Sequence, residues 1–144
     1  MTLRGALLPG WWCQTRPGAT ESEIAAVERE LGNPLPDDYK AVLSESNGLE
    51  GFVAPEAYIS LWSSADIRAR NDGYGVAEFL PGVGVVLIGT DGGGTGYGFA
   101  WERGKVRYIS VPLIGMEPCE VSTLGSTFSE LLDRLRTGSS SATT

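Results

Sequence analysis

Histidine is missing altogether from the 144 residues. That absence excludes Ser-His-Asp and Cys-His catalysis together with every histidine-containing zinc site. Cysteine is nearly missing: Cys13 and Cys119 are the only two, too few for a disulfide framework, and buried thiols are the expected state. No apolar run approaches the roughly 20 residues needed to cross a bilayer. The apolar start, cut short by Pro9, falls below the signal-peptide core of about 7–15 residues. A cytoplasmic protein without membrane contact is the expectation. Cations are scarce as well. Eleven Lys and Arg stand against eighteen Asp and Glu, a net charge of -7, and the eleven are scattered. Phosphate neutralisation needs clustered cations, so nucleic acid is excluded as a partner and a basic one fits better.

What is present reads as one ordinary globular domain, 42% apolar and 20% charged, long enough to bury roughly two-thirds of its unfolded surface without disulfide or metal. The acid is unevenly placed. Glu21, Glu23, Glu28, Glu30, Asp37, Asp38, Glu45 and Glu50 face only Arg29 and Lys40 in that stretch, which accounts for six of the seven excess negative charges. Two readings stay open: solvated helix faces with acids at helix N-termini, or a docking surface that steers a cationic protein.

Residues 1–19, with Pro9, Pro17 and Trp11-Trp12, read as an extended arm whose indoles pack on the domain. Thr20-Glu21-Ser22-Glu23 is a capping box, and Ile24, Val27 and Leu31 share a face, so a helix is expected from Glu21 to Leu31, stopped by Gly32. Pro36 opens a second helix at its first position, with Asp37 and Asp38 complementing its dipole, Tyr39, Val42 and Leu43 as its stripe, and Asn47-Gly48 as its stop. Strands are expected near Phe52-Val53, over Tyr58 to Trp62, Gly82 to Gly89, Tyr97 to Trp101 and Lys105 to Val111, with a short edge strand at Cys119-Glu120-Val121. Between them, a short helix runs from Ser63 or Ser64 through Ile67 to a turn at Asn71-Asp72-Gly73. A second capping box, Thr127 with Glu130, starts a last helix that Gly138 ends, and the polar tail over 137–144 is expected to be disordered. The connections are too short for parallel crossovers. The fold class is therefore α+β: a mainly antiparallel sheet of about five or six strands packed against N-terminal helices and a C-terminal helix.

Leu87-Ile88-Gly89-Thr90-Asp91-Gly92-Gly93-Gly94-Thr95-Gly96-Tyr97-Gly98-Phe99 is the one motif that suggests phosphate chemistry. It lacks the lysine of a P-loop, gives G-x-G-x-G instead of the dinucleotide fingerprint, and leads into a strand instead of a helix. A hairpin loop is the expected reading, with Gly96 and Gly98 leaving one face bare for close packing and Asp91 exposed at the tip. No base accompanies the hydroxyls and thiols, and no carboxylates or thiols cluster at ligand spacing, so no cofactor, no metal and no small-molecule substrate are expected. An interaction module is the economical conclusion.

The order of these pieces carries a resemblance. The first helix, then L-G-N-P-L-P-D-D-Y-K from Leu31 to Lys40, N-G at Asn47-Gly48, I-G-T-D-G-G-G from Ile88 to Gly94, and S-T-F-S-E-L-L from Ser126 to Leu132 together resemble the SUKH superfamily over about residues 20–136. The resemblance implies helices packed on a largely antiparallel sheet and a protein that is not an enzyme. Bacterial members of that superfamily are immunity proteins of polymorphic toxin systems, which bind and block a toxin, often a nuclease, encoded beside them. Fungal relatives regulate cell-wall assembly. This minimal domain is similar to the bacterial type, with Leu35, Pro36, Tyr39 and Gly89 as fold determinants. The expected function is to bind and neutralise a cognate, basic toxin domain through an acidic face that includes Glu45, Glu50, Glu56, Asp72 and Asp91. The alternative is a regulatory or scaffold module with an endogenous cytoplasmic partner.

Overall fold

The computed structural model describes residues 13–82 and 84–137. The expectations for Trp11-Trp12, for Gly138 and for the tail after it lie outside the described residues, while Thr137, expected in the disordered tail, is instead the last residue of the C-terminal helix.

Helix α1 (Glu21–Leu31) forms where the capping box requires it: Thr20 Oγ1 accepts the Glu23 N–H at 3.1 Å and Glu23 Oε1 accepts the Thr20 N–H at 2.8 Å. Gly32, at φ 73°, ends it in the left-handed conformation that lets the chain turn away at no Cβ cost. Ile24 and Val27 are its buried residues. Helix α2 (Asp37–Glu45) begins one residue after the expected position, because Pro36 takes an extended ψ of 143° and flanks the helix without joining it. Tyr39, Val42 and Leu43 are buried as the stripe requires.

Among the described residues, seven strands follow one another in a single antiparallel meander: β1 (Cys13–Thr15), β2 (Leu49–Ala54), β3 (Ala57–Leu61), β4 (Val85–Thr90), β5 (Thr95–Glu102), β6 (Lys105–Pro112) and β7 (Ser122–Gly125). The strand beyond the expected five or six is β1, drawn from the supposed arm and paired Cys13 to Gly51 and Thr15 to Leu49. Three residues are too few to show an alternation in the sequence. The edge strand lies three residues later than expected, since Pro118 has no N–H to give a ladder and Pro118–Glu120 closes as a 3-10 turn. Cys119 in that turn is a free, exposed thiol, against the expectation of buried thiols.

Helix α5 (Phe128–Thr137) touches β2, β6 and β7. Strands β2 and β6 are four places apart in the order, about 19 Å in a flat sheet, so the sheet must curl around the helix. Phe128, Leu131, Leu132 and Leu135 are its buried face. Phe128 meets Tyr108 of β6 at 5.8 Å between ring centroids and Tyr39 of α2 at 6.3 Å, and Tyr39 meets Phe99 of β5 at 6.3 Å. This ring cluster ties two helices to the centre of the sheet. Asp38 belongs to the same junction. Its Oδ1 accepts the Tyr108 O–H at 2.5 Å and its Oδ2 accepts the Phe128 N–H at 2.7 Å. A residue expected only to complement the dipole of α2 thus also caps α5.

Between β3 and β4 the chain makes α3 (Ile67–Tyr74) and α4 (Val76–Phe79). Asn71-Asp72-Gly73, expected as a turn, lies inside α3. The cause is tertiary. After Trp62 donates its N–H to the Ile88 carbonyl at 2.9 Å, β3 leaves β4, and the buried Asn71 side chain takes over as the strand's partner. Its Nδ2 donates to the Leu87 carbonyl at 2.9 Å and its Oδ1 accepts the Leu87 N–H at 2.8 Å. Gly75, at φ 72°, is the actual stop.

The glycine-rich segment is the β4–β5 hairpin. Of its three consecutive glycines only Gly92 is left-handed, at φ 82°. Gly98 answers the close-packing expectation: a Cβ there would lie 2.1 Å from the Val86 carbonyl oxygen on β4, so no side chain is admitted.

Candidate partner-binding surface

The register of the meander brings three connections to one end of the sheet. Ser60 pairs with Thr90, so Asp91 continues alongside the first half of β3, and a Cβ on Gly92 would meet the Tyr58 ring at 2.8 Å. The β2–β3 turn, with Glu56, therefore lies at the same end as the β4–β5 loop. Thr95 pairs with Pro112, and Leu113 donates its N–H to the Gly94 carbonyl at 2.8 Å. That bond sets the β6–β7 connection, with Ile114, Glu117 and Glu120, beside the same loop. These segments contain no Lys or Arg, because the sequence has none between Lys40 and Arg68, between Arg70 and Arg103, or between Arg107 and Arg134.

Of the five acids singled out in the sequence, the fold gathers Glu56 and Asp91 at this end, sets Glu50 behind them in a pocket it shares with Arg16 and Arg70, and leaves two elsewhere. Glu50 is half-buried on β2 and accepts the Tyr58 O–H at 3.1 Å and the Ser60 O–H at 3.4 Å. Burial, then that hydrogen bond and the charge of Glu50, raise the Tyr58 phenol above its ordinary 10.0. Glu56 is exposed in the hairpin turn. Asp91, expected exposed at the loop tip, is instead half-buried, because it orders its own loop: Oδ1 accepts the Gly93 N–H at 2.8 Å and the Thr95 N–H at 3.1 Å. Its charge is still felt nearby, since burial and then Asp91 push the Tyr97 phenol up to about 12. Glu45 sits at the end of α2, in a groove of about 520 Å³ shared with Asp38, Ala41, Thr127 and Phe128. Asp72 lies on α3 and pairs with Arg68 at 3.1 Å, while Arg68 also donates to the Glu30 carbonyl at 2.6 Å and so closes the end of α1.

Glu117 and Ile114 escaped the sequence reading, which takes Glu120 only as part of an edge strand. Pro112, Gly115 and Pro118 around them were the available signal, because no strand carries that spacing of breakers and the segment had to be a loop. Its place beside the glycine hairpin depends on pairing between β5 and β6, which the local sequence does not contain.

Opposite lies the end formed by the β5–β6 turn, where Arg103 at φ 54°, Lys105 and Arg107 collect. Among the described residues no group of three or more Cys, Asp or Glu converges to hold a metal ion, and no helix is long and apolar enough to cross a membrane. No curated protein sequence matches the chain. Residues 18–134 match the SMI1 / KNR4 family (SUKH-1), a span that takes in α1, α2, β2 to β7 and most of α5. The chain belongs to that family.

Proposed function

We propose that this protein is a non-catalytic binding domain of the immunity type, which docks on a cognate toxin domain in the cytoplasm and blocks it. The observation that carries the reading is family membership over 18–134, since SUKH domains serve toxin-immunity or SMI1-type roles by binding protein. The charge distribution supports a basic partner. Net charge is -7, and the loops at one end of the sheet carry carboxylates with no cation among them, an arrangement that attracts a cationic surface and repels nucleic acid. Glu56 and Asp91, with Glu50 behind them, are the proposed contacts at that end, and Glu45 and Asp72 extend the acidic surface over the helices.

Co-expression with the toxin domain encoded beside its gene tests this. Growth should be restored, and the purified pair should form a complex that weakens steeply between low salt and about 0.5 M, where the Debye length falls to a few ångström. Absence of both protection and binding, with recovery of a housekeeping complex from the native cytoplasm, would instead establish the regulatory or scaffold reading.

A further inference from the structure

Ile114 is 90% exposed, although the residues around it are held in place. Leu113 packs on the core and donates its N–H to the Gly94 carbonyl at 2.8 Å, and Met116 is only 5% exposed. Gly115 between them adopts φ 77°, a conformation that an L side chain enters only with strain. The loop is therefore tied down on both sides of Ile114, and the tight turn at Gly115 projects the side chain outward. A single exposed apolar side chain is ordinary in itself. Here it stands on a pinned loop, and pinning lowers the entropy lost when a partner covers it.

Its surroundings define that partner. Glu117 and Glu120 follow it on the same connection, Glu56 and Asp91 lie on the two neighbouring connections, and no Lys or Arg occurs in any of the three. An apolar knob on an end whose connections carry carboxylates and no cation matches a basic surface with an apolar pocket, the arrangement in which a buried anchor holds the complex and surrounding charges steer it.

We infer that Ile114 is the apolar anchor by which the acidic end of the sheet seats a basic protein partner. The inference rests on the immunity reading and names the feature of the partner that this surface would grip. Burying an isoleucine side chain corresponds to about ten- to a hundredfold in affinity.

The test uses the full chain and the toxin domain encoded beside its gene, measured by calorimetric titration across a salt series. I114S should weaken the complex about ten- to a hundredfold at every salt concentration without changing the salt slope, because no charge has been removed. The double variant E117K/E120K should weaken it mainly at low salt and flatten the slope. Unchanged melting temperatures of both variants show that binding, and not folding, is being read. Wild-type binding that I114S leaves intact overturns the anchor while the immunity reading stands. No binding by the wild type overturns the reading and the anchor with it.

Discussion

At one end of the sheet the β5–β6 turn carries Arg103 and Lys105, with Arg107 just inside it and Glu102 3.8 Å from the Arg107 guanidinium. Trp101 Nε1 donates to the Pro34 carbonyl at 2.9 Å nearby, and Asp38 joins α2, β6 and α5 through Tyr108 and Phe128. At the other end, Glu56, Glu117 and Glu120 are exposed with no ion pair among the described residues, and Ile114 stands clear of the surface. At the first end Trp101 and Asp38 hold the helical segments to the strands, and Arg107 pairs with Glu102. The polar groups of the second end hold little besides their own loops. Side chains that bond from one element to another add to stability, whereas like charges without partners cost self-repulsion, which a cationic cover relieves.

The largest effect that could break this contrast is at Asp38. Asp38→Ala removes the acceptor for two buried donors, the Tyr108 O–H and the Phe128 N–H, and should cost about 2–4 kcal/mol in urea unfolding while leaving toxin affinity unchanged below the transition. A loss of affinity in the folded variant would erase the distinction between the ends. Asn71→Ala, which strips Leu87 of both its hydrogen-bond partners at the departure of β3, should cost a similar or slightly smaller amount, about 2–3 kcal/mol.

A smaller effect on stability but a large one on association is expected from E56K combined with E117K. Stability should stay within about 0.5 kcal/mol, and the association rate with the toxin domain at low salt should fall about tenfold, converging with wild type at high salt. Stopped-flow mixing checks this. R103E with K105E is the opposing control, expected to change the association rate by less than about twofold, and a larger fall would move the binding surface to the basic end.

The smallest effect concerns the start of α5. Hydrogen bonds from the Ser126 N–H first, then the Ser126 hydroxyl and the Thr127 N–H, hold the Glu130 carboxyl below its ordinary 4.5. A depressed carboxyl contributes stability that is fully present above its unfolded-state value and is lost as pH falls through the folded one. Wild type should therefore exceed Glu130→Gln in melting temperature at neutral pH, and the gap should close on acidification below 4.5. A gap that persists there would assign the difference to packing.

How far the fold could be read in advance follows from the range of the interactions. Thr20 with Glu23, Thr127 with Glu130, and Gly32 as a stop are three-to-eleven-residue signals, and all three operate as expected. Asn71 reads as turn chemistry because Asn-Asp-Gly favours turns locally, and only the nearby Leu87 backbone makes it a helical residue. Cys13–Thr15 becomes a strand only because β2 lies beside it.

The same division applies to the surface. The amino-acid sequence by itself determined the acidic balance, the absence of histidine chemistry, the capped helices and the membership of residues 18–134 in the SUKH-1 family. It also determined that three long stretches carry no cation. Tertiary structure alone decided that connections from these stretches meet at one end, that Asp91 turns one oxygen into its own loop while Glu56 faces solvent, and that Ile114 is projected among them. Charge and capping are properties of residues and their near neighbours. Which loops share an end depends on strand register across the whole meander, and register is fixed only when the apolar faces of all the strands are buried together.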